Sequence, residues 1–285
     1  HIVKFIPGQP NIVVQNVPGG PGGLRVANQF GSIVPKDGSV FGMFIAGMPL
    51  APLLSPGMAN YDPRTFGFIG SPNREAQVLV ISGKSRVRTV DDLFRIEVIA
   101  GASSPGAGVW DYPRMSNALL GTKFRIITGY TSPRETALAI ERGEVEAMAG
   151  INWTAIKAYM TEKFASGELR LLAQYGFKKL PELDHVPLFP VGPDEKLLPY
   201  FRILYARQDY GRPLAFPAGV PADRVAAFRR AFDLAVKEPA FLAEAAATKL
   251  DINPLSVEEM QQLTDQVYST PASVLAEMQS LIGPK

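Results

Sequence analysis

The middle of the chain alternates short apolar runs with amphipathic stretches of about ten residues. Apolar runs of four to eight residues between turn residues read as buried strands, and apolar positions at 3.6-residue spacing read as helices. Strands are therefore predicted over 97–102, 124–128, 145–149 and 169–174, and helices over 109–120, 133–142 and 154–165. Gly121 stands where a left-handed residue would end the first of these helices. Ser132-Pro133-Arg134-Glu135 opens the second with an N-cap, a proline at the first helical position and a capping glutamate. Strands alternating with helices imply βαβ units, a parallel sheet, and loops gathered along one sheet edge. Loops 103–108, 129–133 and 150–153 are expected together at that edge, where open α/β sheets bind ligands.

The ends of the chain are patterned differently. Strands are predicted over 11–17, 40–45 and 77–82, helices over 24–33 and 89–94, and a Gly/Pro turn over 18–23. Residues 181–221 are proline-rich and irregular. Beyond them Val225, Phe228, Phe232 and Ala235 form an apolar stripe at helical spacing. Ser256-Val257-Glu258-Glu259 is a second capping box, and a last helix covers 271–281. The first region is short of helices to cover its sheet, and the C-terminal helices need a sheet to cover. The reading is an α/β protein of two lobes, one from residues 1–97 and 214–285 and an inserted one from 98–213. Two chain crossings, near 95–98 and 213–217, make a hinge, and hinged lobes close on a ligand held between them.

Composition narrows the function. At 46% hydrophobic and 20% charged residues, the chain is an ordinary folded protein. A net charge of +2 without runs of like charge gives no nucleic-acid footprint. There are no cysteines and only two histidines, His1 and His185, so disulfides, thiolate sites and most acid–base or zinc chemistry lack their parts. Glu141, Glu144 and Glu146 are scattered as on a solvated surface, so no catalytic residue, metal site or cofactor is assigned. No apolar stretch reaches the eighteen residues of a membrane span. Residues 1–6 are not a basic segment followed by a long apolar one; they read as the tail of an amphipathic helix stopped by Pro7-Gly8. The chain is thus expected to begin inside an element.

The candidate chemistry sits in the loops. Gly101-Ala102-Ser103-Ser104-Pro105-Gly106-Ala107-Gly108 leads from a strand into a helix N-terminus, where unpaired N–H groups and the helix dipole favour an anion. Ser103 and Ser104 add hydroxyl donors, and Gly106, Ala107 and Gly108 let a ligand approach the backbone. The Walker lysine is absent, which favours a carboxylate over a phosphate. The same segment fails the nucleophile-elbow pattern in both registers, at Pro105 and at Ala102. The run at 16–23 misses the dinucleotide fingerprint at Arg25. Tyr130 and Thr131 follow the next strand, and Trp153 is a candidate for stacking on a ligand. Ala46, Gly47 and Met48 follow a strand of the first lobe and are the candidate opposing wall.

Several stretches, in order, resemble the solute receptors of tripartite tricarboxylate transporters, the Bug-type periplasmic binding proteins. They are residues 12–23 with Ala27-Asn28 and Pro35-Lys36-Asp37-Gly38, loop 103–108, Thr128-Gly129-Tyr130 with residues 139–145, and Pro217-Ala218-Gly219-Val220-Pro221 with Lys237-Glu238-Pro239. The resemblance implies a type II periplasmic binding fold, a periplasmic location, and delivery of a carboxylate to a tripartite membrane permease. It implies ligand contacts through backbone amides, small hydroxyl residues and water, carried here by Ser103, Ser104, Gly106, Ala107, Gly108, Tyr130, Thr131, Ala46 and Gly47. Family members usually carry a strand, a Gly-rich loop and a helix ahead of the segment matching residues 1–8, so a first sheet short of its central strand is expected. The expected function is a non-enzymatic, monomeric receptor for a di- or tricarboxylate or an aromatic acid. A ligand-sensing regulatory domain of the same fold is the alternative.

Overall fold

The computed structural model describes residues 1–17, 23–192 and 194–282; most of the 18–23 turn lies outside the described residues. The helices and strands in chain order are α1 (Leu24–Ser32), β1 (Gly42–Met43), α2 (Ala51–Leu54), β2 (Gly67–Gly70), β3 (Gln77–Ser82), β4 (Val98–Gly101), α3 (Gly108–Leu120) and β5 (Phe124–Ile127). There follow α4 (Pro133–Glu141), β6 (Ala147–Asn152), α5 (Trp153–Tyr159), α6 (Thr161–Ala165), β7 (Leu169–Tyr175), α7 (Leu198–Tyr210) and β8 (Leu214–Phe216). The chain closes with α8 (Ala222–Ala235), α9 (Pro239–Ala247), α10 (Val257–Tyr268) and α11 (Ala272–Ile282). These elements form two compact units, His1–Arg74 with Ala206–Thr270 and Glu75–Tyr205 with Pro271–Lys285.

The first unit is built on an antiparallel sheet in the order β1-β8-β2. The predicted stripe of α8 lies on this sheet: Val225 and Phe232 join Ile69 and Phe216 in one buried cluster, with Phe228 packed against it. Burying side chains of this size contributes about 1.5–3 kcal/mol each. Gly70 has a φ of 143°, and a Cβ there would run into the Phe232 ring, so only glycine lets α8 approach. The Ser256 capping box forms, with Ser256 Oγ accepting from the Glu259 N–H at 3.2 Å and the Glu259 carboxylate from the Ser256 N–H at 3.0 Å. Two predicted strands change. Residues 11–17 join no sheet, and Val13 and Val14 are exposed. The strand expected over 40–45 shrinks to Gly42–Met43. β-branched composition favours a strand only where a neighbouring strand offers a ladder.

The second unit holds a five-stranded sheet in the order β5-β4-β6-β3-β7. β4 runs parallel to β5 and β6, as the βαβ pattern requires. β3 runs antiparallel to both β6 and β7, so the sheet is mixed rather than wholly parallel. Because β3 is hydrogen-bonded there, residues 75–97 belong to this unit and not with the first region. The last helix also joins it: Trp110 Nε1 donates to the Ile282 carbonyl at 3.0 Å and Arg114 Nε to that of Leu281 at 2.8 Å. The chain thus passes between units after Arg74, Tyr205 and Thr270, against the two passages expected. The predicted helix over 154–165 breaks at Met160, whose φ of −131° lies outside the helical range. Val78, Val80, Met148, Ile151, Ile156 and Met160 fill the core beneath these elements.

Candidate functional site

The strand-to-helix loop of 102–107 is held at both ends. Ala102 N–H donates to the Ile127 carbonyl at 2.8 Å, continuing the ladder between β4 and β5. Ala107 is the N-cap of α3 and has no side chain with which to cap it. Its own N–H turns back to the Ser104 carbonyl at 3.1 Å, and the Gly106 N–H donates to Asp111 Oδ1 at 3.2 Å. The N–H groups of Ser103, Ser104, Gly108 and Val109, and the hydroxyls of Ser103 and Ser104, have no hydrogen-bond partner among the described residues. All of these residues are partly solvent-accessible. A thirteen-residue helix adds the positive end of its dipole. The arrangement is a set of neutral donors suited to an anion's oxygens.

Backbone packing sets the position of these donors. Gly150, where the register of β6 against β3 shifts, has a φ of 86°, and a Cβ there would lie 2.8 Å from the Gly108 carbonyl oxygen and 2.8 Å from the Tyr112 ring. Gly108 and Gly150 therefore meet backbone to backbone and dock the start of α3 on β6. A chain of polar side chains stands beside this contact. Gln77 Nε2 donates to Asn152 Oδ1, and Asn152 Nδ2 donates to Glu75. Glu75 and Gln77 are buried, and Gln77 Oε1 lies 3.1 Å from where a Gly108 Cβ would stand. Sequence reasoning missed this chain because Gln77 and Asn152 meet only through the pairing of β3 with β6. The available signal was polar residues at the open end of two apolar strands.

The remaining predicted residues fall in varied settings. Tyr130 is half-buried, its N–H donates to the Ala102 carbonyl at 3.3 Å, and its ring lies 3.3 Å from where a Gly101 Cβ would stand. Burial, with Glu144 and Glu135 nearby, raises its hydroxyl above the ordinary tyrosine range. Thr131 has both donors committed to Glu135, at 2.7 Å from its N–H and 2.8 Å from its hydroxyl. Those bonds hold the Glu135 carboxyl below its usual range and put that carboxylate at the α4 N-terminus. Trp153 packs against the core of the second unit, and its indole N–H is buried without a partner among the described residues. In the first unit Ala46 and Gly47 are half-buried, whereas Met48 is 1% exposed and inside that unit's core. Met48 also anchors Tyr61, whose hydroxyl donates to its carbonyl at 2.8 Å. No helix among the described residues is long and apolar enough to cross a membrane.

No family model matches the sequence, and no curated protein matches it significantly. The structure, however, is similar to solved solute-binding proteins. A TctC solute-binding protein from Polaromonas aligns at 18% identity with a TM-score of 0.66, over 99% of this chain and 89% of that one. The periplasmic binding protein BugD aligns at 18% identity with a TM-score of 0.69, over 93% and 85%. A protein from R. palustris solved with adipate aligns at 18% identity with a TM-score of 0.66, over 90% and 83%. These neighbours are binding proteins, and they are of the kind that the sequence motifs resemble. The chain has the type II periplasmic-binding-protein fold.

Proposed function

We propose that this protein is a periplasmic receptor that captures a small organic carboxylate and delivers it to a tripartite membrane permease, without chemical turnover. One observation carries the reading: the unpartnered amide and hydroxyl donors at the start of α3, placed on the fold of solute-binding proteins. The adipate-bound neighbour supports a carboxylate as the ligand class. Asp111 stands in the first turn of α3, where its carboxyl accepts from the Gly106 N–H. The donors of the loop are neutral, so they recognise an oxygen pattern and contribute little net charge. Ser103, Ser104, Gly106, Ala107 and Gly108 are the proposed contacts, with Tyr130 flanking them. Isothermal calorimetry against adipate, succinate, citrate, benzoate and a phosphate control tests the reading. Saturable binding of at least one carboxylate, with phosphate silent, is the expected result. No binding by any of these carboxylates would overturn it.

A further inference from the structure

A hydrogen-bond acceptor stands beside the donors at the start of α3. Gln77 is 4% exposed, and its Oε1 lies 3.1 Å from where a Gly108 Cβ would stand, against the first residue of that helix. Among the described residues the Gln77 side chain makes one hydrogen bond, from Nε2 to Asn152 Oδ1, and its Oε1 accepts none. A buried amide oxygen ordinarily has a donor. The side chains around it fix which atom of each amide faces where. A carboxylate only accepts, so Glu75 Oε2 takes the Asn152 Nδ2. The Asn152 oxygen is thereby turned to Gln77 and takes its Nε2. A reversed Gln77 would set oxygen against oxygen at Asn152, so Oε1 is the atom left toward Gly108. Gln77 and Asn152 are register partners of β3 and β6, and all of these residues lie in the second unit.

Resting on the carboxylate reading above, we infer that Gln77 determines specificity and that the ligand is a 2-hydroxycarboxylate, whose hydroxyl donates to Gln77 Oε1 while its carboxylate takes the N–H groups at the start of α3. Those N–H groups only donate, so they suit the carboxylate and give a hydroxyl hydrogen nothing to bond. A ligand oxygen on the Gly108 N–H puts the carbon next to the carboxyl two bonds away, within reach of an acceptor set against the same residue. One neutral acceptor matches one hydroxyl hydrogen. An ammonium brings three donors and a full charge, which one amide oxygen does not satisfy. A ligand without the hydroxyl leaves Oε1 buried and unpaired, the penalty by which sites built for a hydroxyl reject the analogue lacking it.

Calorimetry on the full chain with matched acids tests this: lactate, propionate and alanine; malate, succinate and aspartate; mandelate, phenylacetate and phenylglycine. In the set that binds, the hydroxy acid should bind about tenfold or more tighter than its deoxy and its amino counterparts. This wild-type comparison alone decides the ligand class, whether or not a variant folds. In Gln77→Met the ratio of hydroxy to deoxy affinity should fall to about twofold or less. Taking the ratio within one variant cancels any general loosening of the loop. Gln77→Asn, which draws the amide oxygen back by one methylene, should lower the ratio as well. No binding by any acid would sink the carboxylate reading and this inference with it. Deoxy acids that bind as tightly as hydroxy acids, an amino acid that binds tightest, or variants that keep the wild-type ratio would leave the carboxylate reading standing and overturn the role of Gln77.

Discussion

Alanine at Gly150 is the sharpest probe of how the loop at the start of α3 is held. The substitution acts in two ways that separate. The φ of 86° at this position is a conformation that side-chain-bearing residues adopt at a cost of roughly 1–2 kcal/mol. The added Cβ also falls 2.8 Å from the Gly108 carbonyl oxygen and from the Tyr112 ring, neither of them the far end of a flexible side chain. Overpacking of this type adds about 1–3 kcal/mol. Gly121 supplies the control: its φ is 79°, it caps α3, and nothing lies within 4 Å of its Cβ position. Gly121→Ala therefore carries only the backbone cost. Urea unfolding should show a loss of about 2–5 kcal/mol for Gly150→Ala and about 1–2 kcal/mol for Gly121→Ala. In a calorimetric scan the former corresponds to a fall in Tm of roughly 4–20 °C, at about 2–4 °C per kcal/mol. If the two variants lose the same stability, the close contact between α3 and β6 does not exist, and the loop is positioned by something else.

Other consequences follow from the same geometry. Replacing Ser103 and Ser104 together by alanine should weaken carboxylate binding about tenfold or more in calorimetry, since a hydrogen bond to a charged group contributes about 1.5–3 kcal/mol. Thr131→Ala should change that affinity less than twofold, because both Thr131 donors already serve Glu135; a large loss would show that the threonine turns to the ligand. Ser256→Ala removes the cap of α10 and should cost about 1 kcal/mol of stability in urea unfolding, with ligand affinity unchanged. Asp92, held down by the Arg88 and Thr89 N–H groups, Glu135, held down by that of Thr131, and Glu259, held down by that of Ser256 and by Arg74, have folded pKa values below their unfolded ones. The stability they lend is fully present above the unfolded carboxyl range near pH 4 and is lost as pH falls through the lower folded values. Asp209 is pushed up by burial and opposes this trend. Unfolding free energies measured between about pH 3 and 7 should therefore decline on the acid side, and Glu135→Gln should make that decline shallower.

Legibility in the sequence tracks how local the determining physics is. β4, α3, β5, α4 and β6 were readable because each carries its own punctuation: Gly121 ends α3 in a left-handed cap, and Ser132 caps α4 through the Glu135 N–H at 3.2 Å. The position of the loop between β4 and α3 followed from those boundaries alone. β2 and β8 escaped because Gly67-Phe68-Ile69-Gly70 and Leu214-Ala215-Phe216 are too short to show a period and exist only through pairing within the β1-β8-β2 sheet. α7 was hidden by Pro199, which sits in its first turn, where a missing N–H does no harm. The antiparallel setting of β3 was equally out of reach, since strand direction is decided by partners and not by composition. Residues 11–17 err in the other direction: their valines promise a strand, and no partner in the described chain supplies the ladder.

The central claim, that the start of α3 is where a carboxylate is held, is tested most directly by amide resonances. Labelled protein titrated with adipate, or with whichever carboxylate calorimetry selects, should show saturable shifts largest at Ser103, Ser104, Gly106, Ala107 and Gly108. The same shifts should be lost in the Ser103→Ala, Ser104→Ala double variant. Saturable shifts confined to residues remote from 102–109, or none at all with a carboxylate that calorimetry shows to bind, would contradict the account.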